Sequence, residues 1–275
     1  MSAPSRDRTV GPASSRSERD RVLFDAAANR YCQKDLLPAS RRARRHRLER
    51  TLRSLPLSSR TSLLEIGCGA GFAASYLRGR FGRYVGVDPS EQLILLARRY
   101  NAGPGISFHR TALAEFECGE RFDAAFMIGV LHHLEDPEGA VRGVVELLEP
   151  GGWLAVNEPQ PANPLVSAAR KARKLLHSDY SDEQEEIARD QLHAVFERAG
   201  LADIRITPQG VFSTPFAEVV LRPAVVMRAL STLTCSFDTL LEETLSSLLC
   251  RVSWNLIAVG RRPKDPSGAA EDEAR

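Results

Sequence analysis

Leu63-Leu64-Glu65-Ile66-Gly67-Cys68-Gly69-Ala70-Gly71 decides the reading of this chain. An apolar run of strand length passes into three alternate glycines, and the residues from Gly71 to Gly79 continue with helical spacing. Glycines at such a turn let backbone approach a ligand closely and supply conformations with φ > 0. A purely structural tight turn would use the same residues, so a second signal is needed. Tyr84-Val85-Gly86-Val87-Asp88-Pro89 provides it: a strand ending in an acid 17 residues after Gly71. In a doubly wound sheet this carboxylate lies beside the glycine turn, where it can accept hydrogen bonds from ribose hydroxyls. The alternative is a solvated Asp that caps the next helix.

Outward from this unit, apolar runs alternate with helical patterns. Strands are expected at Ser62–Ile66, Arg83–Val87, Ile106–His109, Phe122–Ile128, Trp153–Glu158, Asp203–Thr207 and Trp254–Gly260. Helices are expected at Gly71–Gly79, Glu91–Tyr100, Pro137–Leu148 and Glu183–Ala199. The alternation implies an α/β, Rossmann-like architecture. Its seven-stranded sheet is mostly parallel, with an antiparallel last strand. Residues 21–262 form one domain. Residues 1–20, rich in Ser, Arg and Pro, and residues 263–275 read as disordered tails.

Composition narrows the classes. A formal net charge of +2 over 275 residues gives no global field toward nucleic acid. The five cysteines are widely spaced with no CxxC pair, which argues against a zinc site or a disulfide framework. No apolar leader is visible, and no uncharged apolar run approaches the roughly 20 residues of a spanning helix. The expected location is the cytoplasm.

A dinucleotide site would show GxGxxG, whereas this turn reads ExGxGxG. A cationic nucleoside without pyrophosphate instead needs acids near its amino group and ribose, which Glu65 and Asp88 supply. Four segments, LEIGCGAG (64–71), VGVDPS (85–90), FDAAFMIGVLHHLED (122–136) and LEPGGWLAVNEP (148–159), occur in order. Together they resemble the class I S-adenosylmethionine-dependent methyltransferases, in the small-molecule group that includes ubiquinone/menaquinone and sugar O-methyltransferases. The resemblance covers Phe24 to Gly152, with weaker echoes to Gly260.

It implies S-adenosylmethionine as cofactor and no metal. Gly67, Cys68, Gly69 and Gly71 would surround the methionine moiety, and Asp88 with Pro89 the ribose. Ile128 and Gly129 would turn backbone carbonyls toward the amino group and sulfonium. Tyr31 resembles the aromatic that closes over the cofactor, or belongs to the core. The family often has Gly-Asp-Ala after the third strand. This chain has Arg110-Thr111-Ala112, leaving the Thr111 hydroxyl and the Ala112 N–H to meet the adenine.

Leu131-His132-His133-Leu134 follows the fourth strand at the end where ligands bind. His132 is the first candidate for a general base and His133 the second, with Glu158 orienting the imidazole. The alternative is that both histidines only cap or pack the loop. Seven arginines crowd residues 41–53. They read as a solvated helix face plus one or two residues near the cofactor carboxylate, or else as a phosphate contact.

Insertions at 159–182 and 212–253 are expected to roof the site as helical lids, the second through helices at Val219–Leu230 and Phe237–Leu249. Alternatively they extend the core or make a dimer interface. The expected reaction is methyl transfer, most readily at oxygen, to a small apolar or acidic acceptor. Nucleic acid is not an expected partner, because GVLHH replaces the Asn/Asp-Pro-Pro-aromatic loop of base-amine methylation. Peripheral contact with a membrane or lipid substrate, a homodimer, and a non-catalytic binding protein remain open.

Overall fold

Side chains on a strand alternate between faces, so Leu63 and Leu64 at the start of β1 (Ser62–Ile66) enter different apolar clusters. The computed structural model describes residues 16–161, 186–219 and 221–264. β1 pairs in parallel with β2 (Arg83–Asp88) on one side and β4 (Phe122–Ile128) on the other. β3 (Ile106–Arg110) extends the β2 edge, and β5 (Leu148–Pro159) pairs with β4. β7 (Asn255–Arg261) runs antiparallel to both β5 and β6 (Ala202–Gln209), giving the order β3-β2-β1-β4-β5-β7-β6. The chain winds in opposite directions from β1, so a crevice opens where β1 and β4 end.

Helices cover both faces. α2 (Pro38–Thr51), α3 (Phe72–Tyr76) and α4 (Glu91–Asn101) lie over Leu63, Tyr84 and Phe126. α5 (Pro137–Leu147) and α6 (Arg189–Arg198) cover Leu64, Val85 and Met127 with Val141, Val144, Leu192 and Phe196. A fully buried side chain of this size contributes about 1.5–3 kcal/mol.

The sequence reading needs four corrections. α1 (Arg16–Leu36) starts inside the expected tail, because Arg16 and Asp20 bond to the loop after β4. β5 begins at Leu148 and takes in the Leu148–Gly152 turn, with Leu148 opposite Phe122. α6 begins at Arg189, where the Gln191 side chain accepts the Ala188 N–H. The second insertion forms one long helix, α8 (Ala224–Thr244), between the short α7 (Thr214–Glu218) and α9 (Ser246–Leu249).

The Ser/Thr-rich centre of α8 does not break it. The hydroxyls of Thr232, Thr234, Thr239 and Thr244 donate to carbonyls four residues back, at 2.8–3.0 Å. α8 rests on α2: the Ser231 hydroxyl donates to the Ala39 carbonyl (2.8 Å), and Thr239 meets the His46 ring (2.9 Å). The insertion therefore buttresses α2. The first insertion falls outside the described residues from 162 to 182.

Candidate active site

The turn after β1 is tight because its amides fold back on β2. Gly67 and Cys68 donate N–H groups to the Val87 carbonyl at 2.8 and 3.0 Å. Val130 packs on Gly67 so closely that a Cβ there would sit 2.5 Å from its Cγ2. Gly69 has φ +52°, and a Cβ built on it meets nothing within 4 Å. The turn thus faces open space with bare backbone, a cradle that any side chain would occupy. Gly71 is the N-cap of α3 and packs toward Phe108, outside the cradle lining.

Tyr31, Glu65, Gly67, Cys68, Gly69 and Ile128 line one cavity. α2 adds Arg44 and Arg47 to it, and Asp35 and Tyr76 complete its wall. Arg44 is held by the buried Asp35 carboxylate (Nε–Oδ1 2.9 Å), which also accepts the Tyr76 hydroxyl (3.0 Å), and it lies 5.2 Å from the Tyr31 ring centre. One terminal nitrogen of Arg44, Nη1, is buried without a hydrogen-bond partner among the described residues. Such a donor is costly to bury unless something anionic meets it. Asp88 sits at the cradle edge, where its two oxygens accept the Gly69 and Ser90 N–H groups, each at 2.9 Å.

Past β4, the Gly129 N–H donates to the Asn157 carbonyl (2.8 Å), and the chain turns into a short 3-10 segment, Leu131–His133. The buried Glu158 carboxylate at the end of β5 organises this loop. Oε1 accepts the Val130 and Leu131 N–H groups, both at 2.8 Å, and Oε2 lies 2.7 Å from His132 Nδ1. An ionised carboxylate only accepts, so Nδ1 carries a proton and, in the neutral ring, Nε2 is the nitrogen with the lone pair. A Cβ built on Gly129 would lie 3.7 Å from His132 Cε1, which puts the imidazole beside the end of β4. The His133 ring lies against that of His132, with centres 4.0 Å apart, while its Nδ1 is 2.8 Å from Asp20 and its edge meets Phe24.

A family model described as a methyltransferase domain matches residues 64–154. A ubiquinone biosynthesis O-methyltransferase of Nitrobacter winogradskyi is 30% identical over 180 residues, which is 62% of this chain and 67% of that protein. The chain belongs to the class I S-adenosylmethionine-dependent methyltransferases. Proteins of the same name from Dinoroseobacter shibae and Ruegeria pomeroyi are 28% and 30% identical over 149 residues, 52% of this chain, and the chain spans 60% of their length. Solved structures share the fold. An S-adenosylmethionine-dependent methyltransferase of Thermotoga maritima has a TM-score of 0.61 at 19% identity, covering 88% of this chain and 98% of its own. A methyltransferase of Haloferax volcanii solved with the Trm112 activator also scores 0.61, at 18% identity, with 87% and 97% covered.

The remaining expected site residues of this methyltransferase lie at the margin of the cradle. Pro89 is exposed and begins the approach to α4. The Thr111 N–H donates to the Asp88 carbonyl (3.2 Å), and its hydroxyl donates to the Ala112 carbonyl (3.1 Å). The hydroxyl oxygen therefore keeps acceptor capacity, and Thr111 and Ala112 flank Asp88 without lining the cavity. Sequence reasoning missed Tyr76, in the helix that follows the glycine turn, and Asp35 and the other acids of α1, which the chain order separates from that turn.

Electrostatics set the resting state. Burial pushes the Glu65 carboxyl up to about 8, although the Tyr84 hydroxyl donates to it, and pushes Asp88 up to about 6. Burial would also raise Glu158, but the adjacent His132 and the loop amides hold it below the ordinary carboxylate value. Burial lowers His133 despite Asp20. A carboxyl whose folded pKa is raised contributes stability below its unfolded value and loses it as pH rises through the folded one. The ligand-free protein is therefore expected to lose stability between pH 4.5 and 8, largely through Glu65. Glu65→Gln should make it more stable than wild type at pH 8, on the order of 3 kcal/mol, and equal at pH 4.5. Urea unfolding at both pH values checks this, and equal midpoints at pH 8 would contradict it.

Proposed function

We propose that this protein transfers a methyl group from S-adenosylmethionine to a hydroxyl of a small apolar acceptor, with His132 as general base. The observation that carries the reading is the His132–Glu158 pair, fixed on the loop whose Val130 packs on Gly67 of the glycine cradle. The cradle fits the cofactor. The unpartnered Arg44 Nη1 suits a carboxylate, Glu65 and the bare Gly69 backbone suit a cationic amino-acid moiety, and Asp88 keeps lone pairs for ribose hydroxyls. Bound there, the cofactor supplies a methyl group activated on sulfur. The protein's part is alignment, exclusion of water and removal of one proton. His132 Nε2 would take the proton of the acceptor hydroxyl as that oxygen is methylated. Glu158 stabilises the resulting imidazolium. The names of the curated relatives favour oxygen as the methylated atom. The five cysteines are unpaired, which suits the reducing cytoplasm.

The arginines of α2, with Arg53 just beyond it, do not favour the nucleic-acid reading. Arg45, Arg47, Arg50 and Arg53 already meet Glu49, Glu218, Glu242 and Glu243 at 2.5–2.9 Å.

Calorimetry should show that S-adenosylmethionine and S-adenosylhomocysteine bind and that NAD does not compete. Asp88→Ala and Arg44→Ala should each weaken binding by about 1–3 kcal/mol, the cost of hydrogen bonds to a charged group. NAD binding without S-adenosylmethionine binding would sink the assignment. Incubation of cell extract with isotope-labelled cofactor would then identify the acceptor.

A further inference from the structure

α8 is amphipathic with its polar side inward. Facing α2 and the 210–213 loop are Ser231, Cys235, Asp238 and Glu242, all buried. The Asp238 carboxylate accepts the N–H groups of Val211, Phe212 and Ser213 at 2.8–3.0 Å, and Glu242 accepts that of Gly210 at 2.8 Å. The outward side carries Val225, Leu233, Phe237 and Leu240 at 84, 66, 48 and 57% exposure, and Leu248 of α9 continues it at 64%. Phe212 packs beside Phe237, with ring centres 5.5 Å apart. A contiguous apolar face of this kind marks an interaction surface.

Charge decides what covers it. The acids of this insertion are already used: Glu218 by Arg47, Glu243 by Arg53, and Asp238 and Glu242 by the protein interior. Arg222, just before α8, Arg228 on its flank and Arg251 just after α9 are exposed. None of the three has a carboxylate partner among the described residues. A second copy would bring only the same three guanidinium groups to the face. An anionic lipid surface would supply both an apolar phase and the missing negative charge.

We infer that α8 and α9 dock this protein on anionic lipid membranes, with the Val225–Leu248 face in the acyl boundary and Arg222, Arg228 and Arg251 at the headgroups. The helix lies flat. It is 21 residues long, and an 18-residue window has mean hydropathy 1.3, so by length and composition it passes for a membrane span. Insertion across the bilayer, however, would strip Asp238 and Glu242 of their backbone donors. Docking holds whichever acceptor is methylated.

The test is co-sedimentation of the full chain with phosphatidylcholine vesicles, with and without phosphatidylglycerol. Wild type should sediment with the anionic vesicles, and added salt should weaken this. Leu233→Glu with Phe237→Glu should lower partitioning about 100-fold, the loss of two buried apolar side chains. Arg228→Gln and Arg251→Gln should each lower it about fivefold. All these variants should keep wild-type affinity for S-adenosylhomocysteine, which shows that they fold. Wild type remaining in the supernatant with both vesicle types would overturn the inference, as would a double variant that sediments like wild type. A wild-type dimer that the double variant dissolves, with no vesicle binding, would assign the face to a second copy instead. Loss of cofactor binding in wild type would count against the proposed function alone.

Discussion

Alanine at position 132 is expected to slow methyl transfer by about 10²–10⁴-fold while leaving cofactor affinity near wild type. The imidazole stands on the loop after β4, and its Nδ1 side is committed to Glu158. Removing it takes away the proton acceptor without touching the Gly69, Asp88 or Arg44 contacts of the cradle. Glu158→Gln sharpens the test. From sequence alone this change looks milder, a lost orienting charge. In the structure a Gln amide would set an NH₂ against Nδ1, so the ring would answer with the other tautomer and present Nε2–H to the acceptor. A base in that form cannot accept a proton, and the loss should approach that of His132→Ala. Steady-state turnover at saturating cofactor, paired with calorimetry on S-adenosylhomocysteine, separates the two effects. Wild-type turnover in both variants would mean that alignment of an already ionised acceptor suffices.

Asp238→Ala should cost about 3–5 kcal/mol of folding stability, the largest stability effect expected of a single substitution in the insertion. The carboxylate is fully buried and satisfies three consecutive amides plus the Ser213 hydroxyl (2.6 Å). Alanine leaves those donors buried and unpaired. Asn keeps one oxygen and should lose about half as much. Urea unfolding measures both, and a change below about 1 kcal/mol for Ala would show that water reaches the loop.

The alternation of apolar runs made the sheet legible. Apart from the start of β5, each strand was found close to its ends, because period and turn chemistry are local signals. The glycine cradle, Asp88 and the His132–Glu158 pair were legible for the same reason, since each sits at a strand end whose position the pattern sets. Arg44 was not separable from its neighbours. Six arginines share α2, and only the packing of that helix shows which one meets Asp35 and which reach the insertion. α1 was hidden because its start depends on distant partners, His132 and His133, which no local pattern reveals. The single long α8 was missed because its threonines satisfy themselves within the helix, so a polar stretch that reads as a break is none.

The ion pairs and hydrogen bonds between α2 and the 212–253 insertion also bear on recombination with relatives. Arg47 and Arg50 of α2, with Arg53 just beyond it, reach Glu218, Glu242 and Glu243, while the same helix presents Arg44 to the cavity. The two segments are far apart in the chain but form one transplantable cassette. A chimera that imports the insertion alone would leave Glu242 without Arg50 and would reset the tilt of the helix that carries Arg44. One that imports both would carry this packing over intact, and with it the position of Arg44 against the cavity.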